Sequence, residues 1–357
     1  MHKKNTSLLI ALILLLSIVL GACQASGTSA GEGEVVKMAD AGWQTQWINN
    51  AIVGFILENG YDFTVETVEV STPIAKESLA NNEVQFWSEM WRANSMEWYE
   101  EVTASGDVVD VGDIFEKSTQ GWYVPRYVIE GDAERGIEPM APDLKSVFDL
   151  PDYKDLFVDP ENSDMGLFVT CITGWQCKEV NLVKLHAYGL ADDYNTLEPG
   201  ASAALDAAIA GAYKKGDPIV AYYWEPTWLM GTYDMVQLEE PEYTTECWTE
   251  LEKSMGDDRE IPLDEVQPSA GCAYETFDIR MGVSGVFAEE HPEVVEFLKK
   301  LTVGTDALNK TSAYMSSEES TADEAALWYF ENYEDTWKTW LDDETYEKVK
   351  AALEETS

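Results

Sequence analysis

Along the chain, short apolar or alternating runs trade places with stretches in which apolar residues return every three or four positions, the pattern of strands interleaved with helices. Val35–Ala39 reads as a strand. The turn Asp40-Ala41-Gly42 follows, and Ile48, Ile52, Phe55 and Ile56 then recur at helical spacing within Trp47–Asn59. Phe63–Glu69 alternates as a strand, and Ser71-Thr72-Pro73 opens a helix with a capping hydroxyl and a proline in its first turn. Val84–Phe86 is a third strand, with Trp87 and Trp91 at its end. Three strand–helix units in succession predict a parallel sheet with helices on its faces and ligands at the carboxyl ends of the strands. Trp91 stands where such a ligand would sit.

Val108–Val111 continues the strands, whereas Gly121–Ile129, with Pro125 in its middle, suits a crossover better than a central strand. Beyond it, Asp143–Phe157 and Pro160–Asp164 read as turn-rich helical pieces, Gly166–Thr170 as a strand and Asn195–Lys215 as an Ala-rich helix stopped by Gly216. Ile219–Trp224 is a buried strand ended by Pro226, and Tyr243–Ala273 is irregular and acidic. Ile279–Phe287 crosses back, and Pro292–Leu301, Thr321–Phe330 and Glu334–Leu341 complete the first lobe as helices. The expected fold is α/β with two lobes and two hinge crossings around a ligand cleft. The first lobe takes 35–125 and 278–357, the second 126–277.

The first residues do not belong to that fold. His2-Lys3-Lys4 precedes an apolar run, Leu8 to Leu20, too short for a comfortable membrane span, so 1–22 reads as a signal peptide. Leu20-Gly21-Ala22-Cys23 matches a bacterial lipobox, which makes Cys23 the expected lipid attachment site. Residues 23–34 are small and polar, a flexible tether to a membrane outside the cytoplasm. With 67 Asp+Glu against 23 Lys+Arg and a net charge of -44, nucleic acid is an unsuitable partner, and self-repulsion favours a monomer.

Export also frames the cysteines. Besides Cys23 there are four, Cys171, Cys177, Cys247 and Cys272, an even set in an oxidising compartment. Of the three pairings open to them, Cys171–Cys177 with Cys247–Cys272 closes two local loops and is favoured. No C-x-x-C pair exists to suggest zinc, and no metal or cofactor is expected.

The candidate chemistry lies in tryptophan, of which there are 13. Trp47, Trp328, Trp337 and Trp340 fall on helical patterns and suit the core. Trp87 also suits packing. Trp91, Trp175 in Thr173–Cys177 and Trp224 in Ala221–Trp228 instead sit at strand ends or beside turn residues, where an indole walls a pocket. Indole faces attract a cation that is cheap to desolvate, above all a quaternary ammonium group. Alternation along a strand would turn Glu225 and Glu89 away from such a pocket. A secreted carbohydrate-active hydrolase is the rival, with tryptophans stacked on sugar and paired acids cleaving a glycosidic bond. Its acids would have to come from diffuse runs such as Glu239–Glu246, and no G-x-S-x-G elbow is present, so no catalytic residue is assigned.

Several motifs together resemble the extracytoplasmic substrate-binding proteins of osmolyte ABC importers, the glycine betaine and proline betaine binders. They are Gly42–Trp43, Ser71–Pro73, Trp91, Gln120–Val128, the C-x3-W-x-C of Cys171–Cys177, Tyr223–Trp228 and Trp337–Leu341. The resemblance implies a type II periplasmic-binding-protein-like fold and no enzymatic activity. It implies a box of Trp91, Trp175 and Trp224 around a trimethylammonium head, delivered to permease subunits. It also implies carboxylate contacts from the amides of Gln176 and Cys177 or of Gly42 and Trp43. In the family a histidine sometimes shares in holding the carboxylate, but no mature histidine of this chain falls near these motifs; Ser95, four residues after Trp91, is carried over only as a hydroxyl or amide contact, which leaves room for a ligand without a carboxylate, such as choline.

Overall fold

The computed structural model describes residues 33–356. The signal peptide, the lipobox with Cys23, and all of the tether but Gly33 and Glu34 lie outside the described residues. Among the described residues ten strands join in one sheet: β1 (Val35–Asp40), β2 (Thr64–Glu69), β3 (Phe86–Met90), β4 (Val108–Pro125), β5 (Val158–Asp159), β6 (Asn162–Val169), β7 (Tyr194–Leu197), β8 (Val220–Glu225), β9 (Met235–Gln237) and β10 (Phe277–Ser284). Their order is β2-β1-β3-β10-β4-β8-β6-β5, with β7 beside β6 and β9 beside β4.

The first half of that path is parallel through β1, β2 and β3, as the repeated strand–helix pattern predicts. β10 then enters antiparallel between β3 and β4. The helices α1 (Gln44–Tyr61) and α2 (Thr72–Ala80) join these strands. Alternate residues feed opposite faces: Val36, Met38 and Phe86 pack with α1 and the C-terminal helices, while Ala39 and Trp87 pack with Ala75 and Leu79 of α2. A closing helix, Asp343–Thr356, lays Val349 against Gly60 of α1, a contact that absence of a side chain at Gly60 permits.

β4 departs from expectation. Val108–Val111 and Gly121–Pro125 are the two ends of a single strand, and only Arg126–Glu130 leaves it, as a short helix. Pairing with β10 runs to Ser118 and pairing with β8 starts at Thr119, so the change of partner falls inside the strand and ahead of the predicted boundary after residue 125. Pro125 is tolerated because it is the last residue, opposite Met235 of β9. Arg280 holds β10 to β4 by bonding both carboxylate oxygens of Asp110, at 2.7 and 2.8 Å. Arg126 pairs with Asp234 and Glu130 at the surface.

Elsewhere propensity misled. Pro160–Asp164 is the turn between β5 and β6 and the start of β6, not a helical piece. The Ala-rich stretch begins with β7 and becomes helical only at Ser202. Ser71 precedes α2, but its side chain caps nothing. The irregular stretch Tyr243–Ala273 contains a helix, Thr245–Glu252, and is stapled by Cys247–Cys272; Cys171–Cys177 forms the other disulfide.

Replacing both Cys247 and Cys272 by serine frees a loop with a sequence separation of 25. Loop-closure entropy puts the expected loss at about 3 kcal/mol, measured by chemical denaturation of this lobe, with far-UV circular dichroism reporting an intact fold before unfolding.

Candidate functional site

The turn after β1 begins the site. Asp40 Oδ1 accepts from the Gly42 amide at 2.8 Å and from Trp47 Nε1 at 2.9 Å, holding a bend in which Gly42 has φ +91°. The bend sets Trp43 at the start of α1 with its ring turned toward the second lobe. From β3, Glu89 is fully buried, and its Oε2 accepts from Trp43 Nε1 at 2.6 Å and Trp91 Nε1 at 3.2 Å. Its Oε1 accepts from Asn49 Nδ2 at 2.8 Å. Burial pushes the Glu89 carboxyl up to about 7, against the pull of these donors toward the ionised form.

The second lobe supplies the facing wall. The Cys171–Cys177 disulfide closes a six-residue loop, and Gly174 within it has φ +97° with Ser71 of the first lobe so close that a Cβ there would lie 3.2 Å from it. Trp175 follows, at the start of α3 (Gln176–Ala187). Its Nε1 donates to Ala41 O at 2.6 Å, and the Thr72 amide donates to Gly174 O at 2.8 Å; both bonds cross between lobes. Trp224, at the end of β8, completes the wall.

The rings meet edge to face. Trp43 and Trp175 have centroids 5.6 Å apart at 88°, and Trp175 and Trp224 5.2 Å apart at 84°. Trp91 stands against Phe115 and Phe277 and packs against both large hydrophobic clusters, that of β1 and α1 and that of β8 and α3. Together they line a cavity of about 40 Å³, on a measure by which one water needs roughly 10–15 Å³.

Of the residues singled out from sequence, Trp43, Trp91, Ser95, Trp175, Gln176, Cys177 and Trp224 all line this cavity; Gly42 does not, and acts through its turn. Trp43 contributes its ring, where only its amide was anticipated. Trp87 lines the cavity too, beside Trp98, so packing is not its whole part. Lys76, Arg92, Gln120 and Tyr222 were not anticipated. Glu225 is exposed and away from the cavity as alternation predicts, but Glu89 is not free of it, since it anchors two of the rings. Trp337 and Trp340 are core residues, and Trp47 and Trp328 are half-buried.

The family model for the substrate binding domain of ABC-type glycine betaine transport systems matches residues 34–332. The chain belongs to this family. As one of its members it is a substrate-binding component of an importer, not an enzyme, and works outside the cytoplasm with a permease. Its fold is the two-domain, mixed α/β fold of periplasmic binding proteins. It is 22% identical over 335 residues to a trimethylamine N-oxide-binding protein of Pelagibacter ubique, covering 94% of this chain and 98% of that one. Among solved structures it is similar to the glycine/betaine/L-proline-binding protein of Borrelia burgdorferi, with TM-score 0.67, 17% identity and coverage of 88% of this chain and 100% of that one. A choline-binding protein in complex with choline aligns with TM-score 0.65, 19% identity and coverage of 89% and 98%. No described helix is long and apolar enough to cross a membrane.

The Glu89 carboxyl, with its value raised from 4.5 to about 7, keeps a proton in the folded protein that the unfolded chain has lost. Stability contributed by this group is therefore complete below pH 4.5 and is lost as pH rises through 7, by about 3 kcal/mol. Glu89→Gln should remove that slope, read as unfolding free energy at pH 5 and pH 8. The glutamine oxygen can still accept from the indoles, because Asn49 Oδ1 is buried without a partner and can turn to accept its amide. A variant with the same pH slope as the parent would contradict the assignment.

Proposed function

We propose that this protein captures a quaternary ammonium osmolyte, glycine betaine first among them, by seating its methylated head between indole faces, and delivers it to an ABC permease. The convergence of Trp43, Trp91, Trp175 and Trp224 on one cavity carries this reading. Each desolvated contact of a cation with an indole face contributes up to about 2 kcal/mol, so three supply roughly 5–6 kcal/mol before ordering costs. Micromolar binding requires about 8 kcal/mol, and the amides of Gln176 and Cys177 at the start of α3, which have no acceptor among the described residues, offer the remainder to a carboxylate. A primary ammonium ion would forfeit its hydrogen bonds in the same box.

Choline, carnitine and trimethylamine N-oxide carry the same head and are the alternative cargoes, the last favoured by the relative that binds it. A carbohydrate-active hydrolase finds no support in a substrate-binding family. We also propose that Cys23 carries the lipid anchor and that the mature protein is a monomer held at the membrane; Cys23→Ser should move it to the soluble fraction.

Trp175→Ala should raise the Kd for glycine betaine by more than about tenfold in calorimetry, the ~1.4 kcal/mol of one good wall. Trp175→Phe, which keeps a ring face but loses the bond to Ala41 O, should fall between the two. Unchanged affinity in Trp175→Ala would return Trp175 to packing.

A further inference from the structure

A second, smaller hollow lies behind the box, in the seam between the lobes. Trp43 and Gln44 of the first lobe and Asp206, Tyr223, Trp224 and Trp228 of the second are among the residues that line it. Its volume is about 10 Å³, room for one water and no more. Trp43 and Trp224 line the main cavity as well, so the two hollows share those rings.

The polar groups around this seam do not balance within the protein. The indole N–H groups of Trp43, Trp91 and Trp175 are committed to Glu89 and Ala41 O. Trp224, only 6% exposed, has its Nε1 buried with no acceptor among the described residues. Gln44 Oε1, in the first turn of α1, is likewise buried without a donor. The amide nitrogen of Gln44 donates to Ser316 Oγ at 2.9 Å, which fixes the amide plane and leaves the oxygen to accept. One lobe thus brings an unpaired acceptor and the other an unpaired donor to a space of a water's size. Burying both unpaired costs more than holding one water between them.

Asp206 offers such a water its third partner. It sits one turn into the helix Ser202–Lys215, where Oδ1 accepts from Tyr223 Oη at 2.6 Å and Oδ2 from Trp228 Nε1 at 3.0 Å. A carboxylate has about four acceptor sites, so capacity remains on both oxygens. Burial raises the pKa of this group against the pull of its two donors, and a further donor relieves that cost.

We infer that this hollow is a site for one water, which accepts from Trp224 Nε1 and donates to Gln44 Oε1 and Asp206, and that Gln44 and Asp206 are thereby positioning residues for the fourth ring of the box. This rests on the reading of Trp224 as a wall of that box. The bridge joins the lobes and lasts only while they meet. When they part, Trp224 and Gln44 separate and each is solvated on its own. The contribution of the bridge therefore falls on release of the ligand, after closure, and not on the first encounter.

Stopped-flow tryptophan fluorescence with glycine betaine, on the parent, Gln44→Leu, Trp224→Phe and the double variant, tests this as a cycle. Gln44→Leu, similar in size but without the acceptor, should release the ligand about three- to tenfold faster, with association within about twofold of the parent. In the Trp224→Phe background, which keeps a ring but no N–H, Gln44→Leu should change release by less than about twofold. Ser316→Ala removes only the partner of the Gln44 nitrogen and should stay within about twofold of the parent. A crystal structure of the parent with glycine betaine should show a water within hydrogen-bond reach of Trp224 Nε1 and Gln44 Oε1. Absence of that water, an equal effect of Gln44→Leu in both backgrounds, or a loss in Ser316→Ala as large as in Gln44→Leu would overturn the bridge and leave the box standing. No binding of glycine betaine by the parent would instead bring down the box, and the positioning role with it.

Discussion

A single buried carboxylate fixes the shape of the cavity. An indole has one polar donor, and once that donor is committed the plane of the ring has little freedom left. Glu89 commits two of them, Trp43 from the turn after β1 and Trp91 from the end of β3, with one oxygen. Both rings line the cavity. Burying that acid without donors would be costly; with Asn49 added, three N–H groups share it.

The two lobes depend on β4 in a similar way. One strand serves both, pairing with β10 up to Ser118 and with β8 from Thr119, so the lobes share a hydrogen-bonded frame. Trp91 touches the cores of both. The Cys171–Cys177 bond holds the loop that carries Trp175 close to the start of α3, where a ring and two free amides can face the same space.

Much of this was legible in the chain. Trp91, Trp175 and Trp224 could be picked out because each ends a strand or follows a turn glycine, and strand ends point outward from a sheet. Glu89 escaped because the alternation argument assumes one solvated face, and β3 is buried on both. Lys76 escaped because its helix contacts the other lobe only through tertiary closure, which no local period encodes. β4 was split because Pro125 looks like a breaker until the strand is known to end there. β7 hid in front of an Ala-rich helix because four residues paired to a neighbour outweigh propensity only once that neighbour is in place.

The two bonds that cross from lobe to lobe, Trp175 to Ala41 O and the Thr72 amide to Gly174 O, both end on main-chain carbonyls. Substitution at Ala41 or Gly174 can crowd these clasps but cannot delete the atom they grip. The side chains that wall the hollow can therefore vary while the two bonds that join the lobes keep the same acceptors.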